Sequence, residues 1–195
     1  MADISDVKIM VGSTVYGFQD QLSAIWTTLS TIGYRVLNSH MGTIKVDPHL
    51  SNLQNCLNAV EECDLFLGVI RPYYGTGNIG DINITFEEIK RAIELKKPYW
   101  FLVHRDVVFA RQLTKKLFYI NNTGEKVYDV KIDPSPIFDA RTLEIYDHVI
   151  KSADPVVLRT GNWAQEFFRL DDALRYIQTQ FSDTDFIASV LKNKV

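Results

Sequence analysis

Four short apolar runs, separated by amphipathic stretches, constrain the fold of this chain more than any other feature. The runs are VKIMVGS, YRVLNS, DLFLGVI and PYWFLV, at 7–13, 34–39, 64–70 and 98–103. Nearly continuous apolar runs of this length suit strands that are buried on both faces of a parallel sheet. Between the runs, apolar side chains recur every three or four residues, which indicates helices. This order predicts an α/β fold with helices on both faces of a parallel sheet.

The second half of the chain gives a weaker pattern. Helices are predicted in three segments, 106–120, 142–151 and 162–181. The last of these places Trp163 and Phe167 on its apolar side, and an edge strand is predicted within 121–132. We expect residues 1–103 to form the core, and residues 104–195 to be a helical C-terminal extension that completes the same domain.

Charge and composition argue against two classes of partner. The net charge is -3, and the basic residues are scattered among acidic ones, so no basic surface for nucleic acid is predicted. No apolar run reaches the roughly 18 residues that a membrane span needs, and the first residues lack the pattern of a signal peptide. We therefore expect a cytoplasmic protein that binds neither nucleic acid nor membranes.

The cysteines and histidines predict no metal site. Cys56 and Cys63 form no CxxC pair, and two thiols in an amphipathic segment are expected to be buried and reduced. The four histidines show neither an i, i+4 pair nor an HExxH motif. We expect no metal and no bound cofactor.

The carboxyl ends of the predicted strands mark where a ligand would bind, because ligands of open α/β sheets lie there. After the first strand, the turn VGSTVYG carries Gly12, Ser13, Thr14 and Tyr16. Exposed amides before a helix bind anions, so Gly12, Ser13 and Thr14 are candidate substrate-binding residues. The turn has neither a P-loop lysine nor a GxGxxG motif, and an ordinary strand-to-helix turn explains it equally well.

Two adjacent acids, Glu87 and Glu88, lie near the start of the third predicted helix. Thr85-x-x-Glu88 has the spacing of a capping box, in which each side chain accepts the backbone amide of the other residue. Glu87 points about 100° around the helix from Glu88, so we expect it to face solvent and pair with Arg91. A carboxylate in this first turn would also lie at the strand ends, which leaves a catalytic role for Glu88 open beside the cap.

Three segments, 7–43, 53–77 and 84–103, together resemble the uncharacterised TIR-like domain found at the N-terminus of many signalling ATPases. The pattern there is a strand ending in V-S-S-T, then C-D-x-x-x-G-x-x-x-x-x-Y-G, then T-x-x-E-[YF]-x-x-A-x-x-x-x-K-P. In this chain Gly12 replaces the first serine, and Ile89 replaces the usual aromatic residue. The resemblance implies a flavodoxin-like, TIR-like sheet whose first 103 residues form a nucleotide-binding core.

That domain in turn resembles the nucleoside 2-deoxyribosyltransferases and the TIR NAD glycohydrolases. In the former, a G-S-P-F-Y turn supplies a tyrosine, and an S-x-F-E helix start supplies the glutamate that attacks the sugar. GSTVY and TFEEI match these motifs, with Glu88 ten residues before Pro98. The resemblance therefore implies that Tyr16 orients the substrate and Glu88 is catalytic. The aspartate of those enzymes, five or six residues before the glutamate, has no match, and Asp81 is one residue out of place.

Three further residues complete the predicted substrate-binding set. In the loop RPYYG, Tyr74 is a candidate for stacking on a base or a nicotinamide ring, although such residues as often pack locally. Asp81 and Thr85 flank the predicted start of the third helix.

The leading hypothesis is an enzyme that cleaves or processes the N-glycosidic bond of NAD or a related nucleotide, of the NAD glycohydrolase or ADP-ribosyl cyclase type. NAD would then be a substrate, and a bacterial defence or signalling pathway would be the context. One alternative is a non-catalytic TIR-like module that senses a nucleotide or self-associates. Another is base exchange of the deoxyribosyltransferase type.

Overall fold

The computed structural model describes residues 4–75, 78–79, 82–120, 125–126 and 138–192. The strands are β1 (Lys8–Ser13), β2 (Arg35–Leu37), β3 (Leu65–Ile70), β4 (Asn78–Ile79), β5 (Ile82–Asn83), β6 (Tyr99–His104), β7 (Tyr119–Ile120), β8 (Glu125–Lys126) and β9 (Ala164–Phe167). The α-helices are α1 (Gln19–Ile32), α2 (Asn52–Glu62), α3 (Ile84–Glu94), α4 (Arg105–Phe118), α5 (Arg141–Val149), α6 (Leu170–Phe181) and α7 (Thr184–Lys192). Short 3-10 helices span Ile4–Asp6 and Val156–Leu158.

Five strands form one sheet in the order β2-β1-β3-β6-β9, and every neighbouring pair is parallel. Numbered along the chain, these five strands stand in the order 2-1-3-4-5, which is the flavodoxin-like order. The predicted fold class, a parallel sheet of this type with helices on both faces, is confirmed. The carboxyl ends of the strands therefore meet at one edge, where the order reverses between β1 and β3.

The two faces of the sheet carry separate apolar layers. Helices α1 and α6 cover one face, where Leu22 and Ile177 are buried against Leu67 and Leu102. Helices α2 and α3 cover the other face, where Val60 and Ile89 join a second cluster around Phe66 and Phe101. Strand β3 is buried along its whole length, which explains why its sequence is the most strongly apolar of the four runs.

Helix α1 ends at Gly33. Gly33 adopts a φ of 121°, and its backbone N–H donates to the carbonyls of Leu29 and Ser30. A side chain at Gly33 would strain this left-handed backbone, so the glycine stops the helix. The four predicted strands correspond to β1, β2, β3 and β6, and their ends agree with the structure to within two residues.

The prediction of one helix over 162–181 is wrong. Residues Ala164–Phe167 form β9, the fifth strand of the sheet, and α6 begins only at Leu170. Phe167 is buried as predicted, whereas Trp163 is 71% exposed. Pairing with β6 supplies the reason, because Phe101 to His104 align with Ala164 to Phe167 in a parallel ladder that local spacing does not reveal.

Other predictions for the second half have mixed outcomes. Helices α4 and α5 confirm the segments predicted at 106–120 and 142–151, although the first ends in the short strand β7. A turn and an edge strand are predicted within 121–132, where the structure describes only β8, which pairs with β7; the rest of that segment lies outside the described residues. Both cysteines are buried and free, as predicted. No helix in the described part of the chain has the length and apolar character to cross a bilayer.

Candidate functional site at the carboxyl edge of the sheet

Asn83 starts the helix that carries Glu88. Its side-chain oxygen accepts the amide of Phe86 at 2.8 Å, and its side-chain amide donates to the carbonyl of Tyr74. Asparagine is among the best residues at this position, because its short side chain satisfies an amide that the helix leaves unpaired. Asn83 is itself buried, so the same side chain joins the start of α3 to the loop after β3.

The predicted capping box between Thr85 and Glu88 is wrong. Thr85 is already the second residue of α3 and is buried, and the cap lies two residues earlier, at Asn83. Glu88 is 4% exposed and shares a buried face with Thr85, Ile89 and Ala92. Packing of this face against the sheet turns the Glu88 side chain inward, away from the amides at the helix start.

The predicted pair between Glu87 and Arg91 is also wrong. Glu87 is half-buried and pairs with Lys90. Arg91 instead pairs with Glu61 on the neighbouring helix α2 and with Glu94, at 3.5 Å, on its own helix. The contact between α2 and α3 brings Glu61 to Arg91, which spacing along one helix does not predict.

Glu88 is the buried carboxyl group of this edge of the sheet. Burial raises its pKa from 4.5 to about 8, and the side chain of Cys56 on α2 lowers it by hydrogen bonding. The pKa of the Cys56 thiol is raised to about 12 by burial and by the nearby carboxyl group. The Glu88 carboxyl is therefore mostly neutral at pH 7.

Gly12 makes room for this carboxyl group at the end of β1. A Cβ atom at Gly12 would lie 2.9 Å from Oε2 of Glu88 and 2.9 Å from the ring of Phe66. Both distances are shorter than real Cβ contacts allow, so a serine in this position, as in the usual motif, would displace Glu88 or Phe66. The structure thus brings together two predicted site residues, Gly12 and Glu88.

The turn after β1 is held by Arg71 at the end of β3. Nη1 of Arg71 donates to the carbonyls of Thr14 and Tyr16, each at 3.0 Å, and Nη2 donates to the carbonyl of Gly17 at 3.4 Å. The Thr14 hydroxyl donates to the carbonyl of Tyr73 at 3.1 Å. The turn therefore presents carbonyl oxygens to a cation, in addition to the amides on which the anion-site prediction rests.

Ser13 and Tyr16 lie on the outer side of that turn. The Ser13 hydroxyl donates to the carbonyl of Thr14 at 3.1 Å. Tyr16 is 68% exposed, and its ring packs against Tyr73 with centroids 5.3 Å apart. The structure shows no hydrogen bond between Tyr16 and Glu88, both of which it describes. The orienting role of Tyr16 stays a prediction.

Tyr74 packs locally instead of facing an open cleft. It is 6% exposed, and the guanidinium of Arg141 lies 4.2 Å from the centre of its ring. The backbone N–H of Asp139, two residues before Arg141, donates to the carbonyl of Pro72 at 2.9 Å. Asp81 lies outside the described residues, so its predicted substrate contact stays a prediction.

Sequence reasoning missed three residues of this edge: Asn83, Cys56 and Arg71. Asn83 carries a recognisable signal, since an asparagine directly before a helix is a typical cap. Cys56 and Arg71 carry none, because their contacts with Glu88 and with the turn after β1 depend on the packing of distant segments. Among the described residues, no group of three His, Cys, Asp or Glu side chains is arranged to hold a metal ion.

A buried neutral acid at the carboxyl ends of the strands has two chemical options. In its protonated form it can donate a proton, and in its ionised form it can stabilise positive charge or act as a nucleophile. A positive charge brought close to the carboxyl would favour the ionised form, because opposite charge lowers the pKa of an acid. The site is therefore suited to a ligand that carries or develops positive charge.

Among solved structures, one that is similar over most of the chain has low sequence identity. It is the CMP N-glycosidase BcmB of Clostridium botulinum, with 12% sequence identity and a TM-score of 0.46. The alignment covers 89% of this chain and 98% of that one. No curated protein matches the sequence.

A family model matches residues 8–133, which include β1 to β8 and the segment that carries Gly12, Cys56 and Glu88. The match covers more than half of the chain, and the family is described only as a domain of unknown function. Strand β9 and helix α6 lie beyond the matched residues, although they complete the sheet and its outer layer. The chain belongs to the DUF4062 family.

Proposed function

We propose that this protein cleaves or processes the N-glycosidic bond of NAD or a related nucleotide, with Glu88 as the central carboxyl group. One observation carries the proposal: a buried glutamate, with its pKa raised to about 8, lies at the carboxyl edge of the sheet beside a glycine. Strongly shifted acids at strand ends are found at functional sites more often than elsewhere. No cation among the described residues pairs with this acid, so its burial does not serve a structural ion pair.

The chemistry of a nicotinamide nucleotide fits such an acid. When the bond between the ribose C1′ and the nicotinamide nitrogen breaks, its electron pair leaves with the nitrogen and neutralises the positive ring. The ribose is left as an oxocarbenium-like cation, which an ionised carboxylate stabilises or captures. Water then adds at C1′ and loses a proton to the carboxylate or to solvent. The leaving group needs no proton, so a second acid is not required.

The raised pKa of Glu88 supports a cationic substrate in particular. With no cation beside it, the carboxyl is mostly neutral at pH 7, so its desolvation cost is largely avoided. The positive nicotinamide ring would lower the pKa of Glu88 on binding and would ionise the carboxyl where it is needed. A neutral nucleoside brings no such charge, which disfavours base exchange of the deoxyribosyltransferase type.

A second candidate function is nucleotide sensing or self-association without turnover. It is favoured by the position of Tyr16, whose ring lies exposed on the surface while Glu88 is buried. In that case Glu88 and Gly12 would shape a binding site, and the acid would perform no chemistry.

Nicotinamide release from NAD tests the two functions against each other. The wild-type protein, Glu88→Gln and Glu87→Gln are incubated with NAD over a range of protein concentrations, since self-association can be required for activity. We expect release by the wild type and by Glu87→Gln, and a loss of at least about a hundredfold for Glu88→Gln, as is usual when a catalytic group is removed. Glu87→Gln is a matched control because it removes a carboxylate one residue away that pairs with Lys90.

Two outcomes would contradict the enzyme proposal. If the wild type releases no nicotinamide at any concentration although it binds NAD, the sensing function is the correct one. If Glu87→Gln is inactive while Glu88→Gln is active, the assignment of the acid is wrong. Circular dichroism of all three proteins shows whether any loss reflects unfolding.

A further inference from the structure

A cavity of about 260 Å³ opens at the carboxyl ends of β1, β3, β6 and β9, between α1 and α6. It lies in the layer that contains Phe18, Phe167 and Ala173, on one face of the sheet. Glu88 belongs to α3, whose buried face joins the apolar cluster on the opposite face. Glu88 does not line this cavity, although Arg71 and the turn after β1 adjoin both places, so the cavity is separate from the surroundings of the Glu88 carboxyl group.

Arg71 supplies the cavity with a cation that no described carboxylate neutralises. Its guanidinium lies 4.4 Å from the centre of the Phe18 ring, and burial lowers its pKa to about 10. A guanidinium has five N–H groups, and the carbonyls of Thr14, Tyr16 and Gly17 take three of them. The N–H on Nε and one N–H on Nη2 have no partner among the described residues.

His104 lies on the wall of the same cavity. Burial lowers its pKa, and the charges of Arg71 and Arg105 lower it further, so the neutral imidazole is favoured. The acids that act on His104 are Asp106, whose carboxylate lies 3.4 Å from Nδ1, and Glu166. The backbone N–H of Asp106 donates to Nδ1 of His104 at 3.2 Å, and neither acid forms an ion pair with Arg71 in the described part of the chain.

The remaining walls of the cavity are aromatic and apolar. Tyr73 and Phe168 line it on two sides, and Arg105 lies 4.9 Å from the centre of the Phe168 ring. An arginine with free donors beside aromatic rings suits an anion that is attached to a flat ring, because phosphate pairs with the fork of N–H groups and the ring stacks. A volume of about 260 Å³ lies at the lower end of the range for small-molecule pockets, which favours a ligand of mononucleotide size or less.

We propose that this cavity binds a small phosphate monoester of mononucleotide size or less, with the phosphate on Arg71 and the ring beside Tyr73 and Phe168. The proposal does not depend on the function proposed for Glu88. Inorganic phosphate is the same anion without the ring. A comparison of its affinity with that of a ring-bearing phosphate monoester therefore shows whether the ring contributes to binding.

Isothermal titration with AMP, inorganic phosphate and adenosine tests the site. We expect saturable binding of AMP, weaker binding of inorganic phosphate, and still weaker binding of adenosine. Gln21→Glu places a carboxylate in the cavity wall, and Gln19→Glu adds the same charge on the exposed start of the same helix. We expect Gln21→Glu to weaken AMP binding at least about tenfold, since like charge repels the phosphate at short range, and Gln19→Glu to leave it unchanged.

The proposal is overturned if neither AMP nor phosphate binds, if adenosine binds as tightly as AMP, or if Gln19→Glu and Gln21→Glu weaken binding equally. Glu88→Gln separates this site from the one on α3. Loss of AMP binding in Glu88→Gln would place the ligand at Glu88 and would overturn this proposal, without touching the function proposed for that residue. Both glutamine substitutions lie at positions that are not fully buried, so they are expected to fold.

Discussion

Replacement of Glu88 by glutamine should stabilise the protein, and the gain should grow with pH. In the folded protein the pKa of Glu88 is raised from 4.5 to about 8, so between these pH values the folded state holds a proton that the unfolded state has lost. The free energy of unfolding therefore falls as pH rises through this window, by ~1.4 kcal/mol per pH unit. Below the unfolded pKa, both states are protonated and this loss disappears.

The magnitude follows from the size of the shift. Across the whole window the wild type loses ~5 kcal/mol relative to a variant with a permanently neutral side chain, and at pH 7 it loses ~3 kcal/mol. Glutamine has nearly the same shape as glutamic acid, but its amide donors must find partners next to Cys56 and Gly12. These are upper values, because an unsatisfied buried amide costs ~1–3 kcal/mol.

Urea unfolding of the wild type and Glu88→Gln at several pH values between about 5 and 8 measures the difference. Taking the difference between the two proteins removes the titration of all other groups. Glu87→Gln is the control, because the neighbouring carboxyl is half-buried and paired with Lys90. A difference that does not change with pH, or a less stable Glu88→Gln at pH 8, would refute the idea that burial holds a neutral acid in this position.

Four other substitutions test the environment of the same acid. Gly12→Ala should lower the free energy of unfolding by ~1–3 kcal/mol, as overpacking usually does, because its Cβ would lie 2.9 Å from Oε2 of Glu88; urea unfolding measures this. Asn83→Ala should lower the free energy of unfolding by ~1–2 kcal/mol through loss of the helix cap, whereas Thr85→Val should lower it by less. A larger loss for Thr85→Val than for Asn83→Ala would show that Thr85 is the cap. Cys56→Ala removes a group that lowers the pKa of Glu88, so the pH window of the stability difference should extend upward. An unchanged window would show that the thiol does not influence the acid.

The first half of the fold could be predicted because its signals are local. Each apolar run is long enough to identify a strand, and Gly33 marks a helix end that only a residue tolerant of positive φ can form. The strand at Ala164–Phe167 could not be identified in this way, since its four residues also fit the apolar side of a helix. Only its parallel pairing with β6 decides between the two, and that pairing joins segments about 60 residues apart in sequence.

The candidate site was predictable in position but not in environment. The spacing around Glu88 locates the acid at the strand ends, where the structure places it beside Gly12. The same spacing suggests a cap, because Thr85 and Glu88 fit the capping-box pattern as well as a buried stripe. The sequence does contain the decisive signal: Thr85, Glu88, Ile89 and Ala92 recur at intervals of three, one and three residues, which defines one helix face. An acid on such a face is buried with its apolar neighbours.

Burial of Glu88 links the stability of the protein to its proposed chemistry. A leucine or glutamine on this helix face would avoid the loss of stability that the acid causes above pH 4.5. Stability is often lost where an active site needs a group in an unfavourable environment. A cation bound against the carboxyl would reverse that loss, because it lowers the pKa and lets the buried group ionise with its charge compensated. A positively charged substrate would therefore restore, when it binds, the stability that the buried acid costs the protein. In the proposed reaction that charge is on the nicotinamide ring, next to the glycosidic bond that breaks.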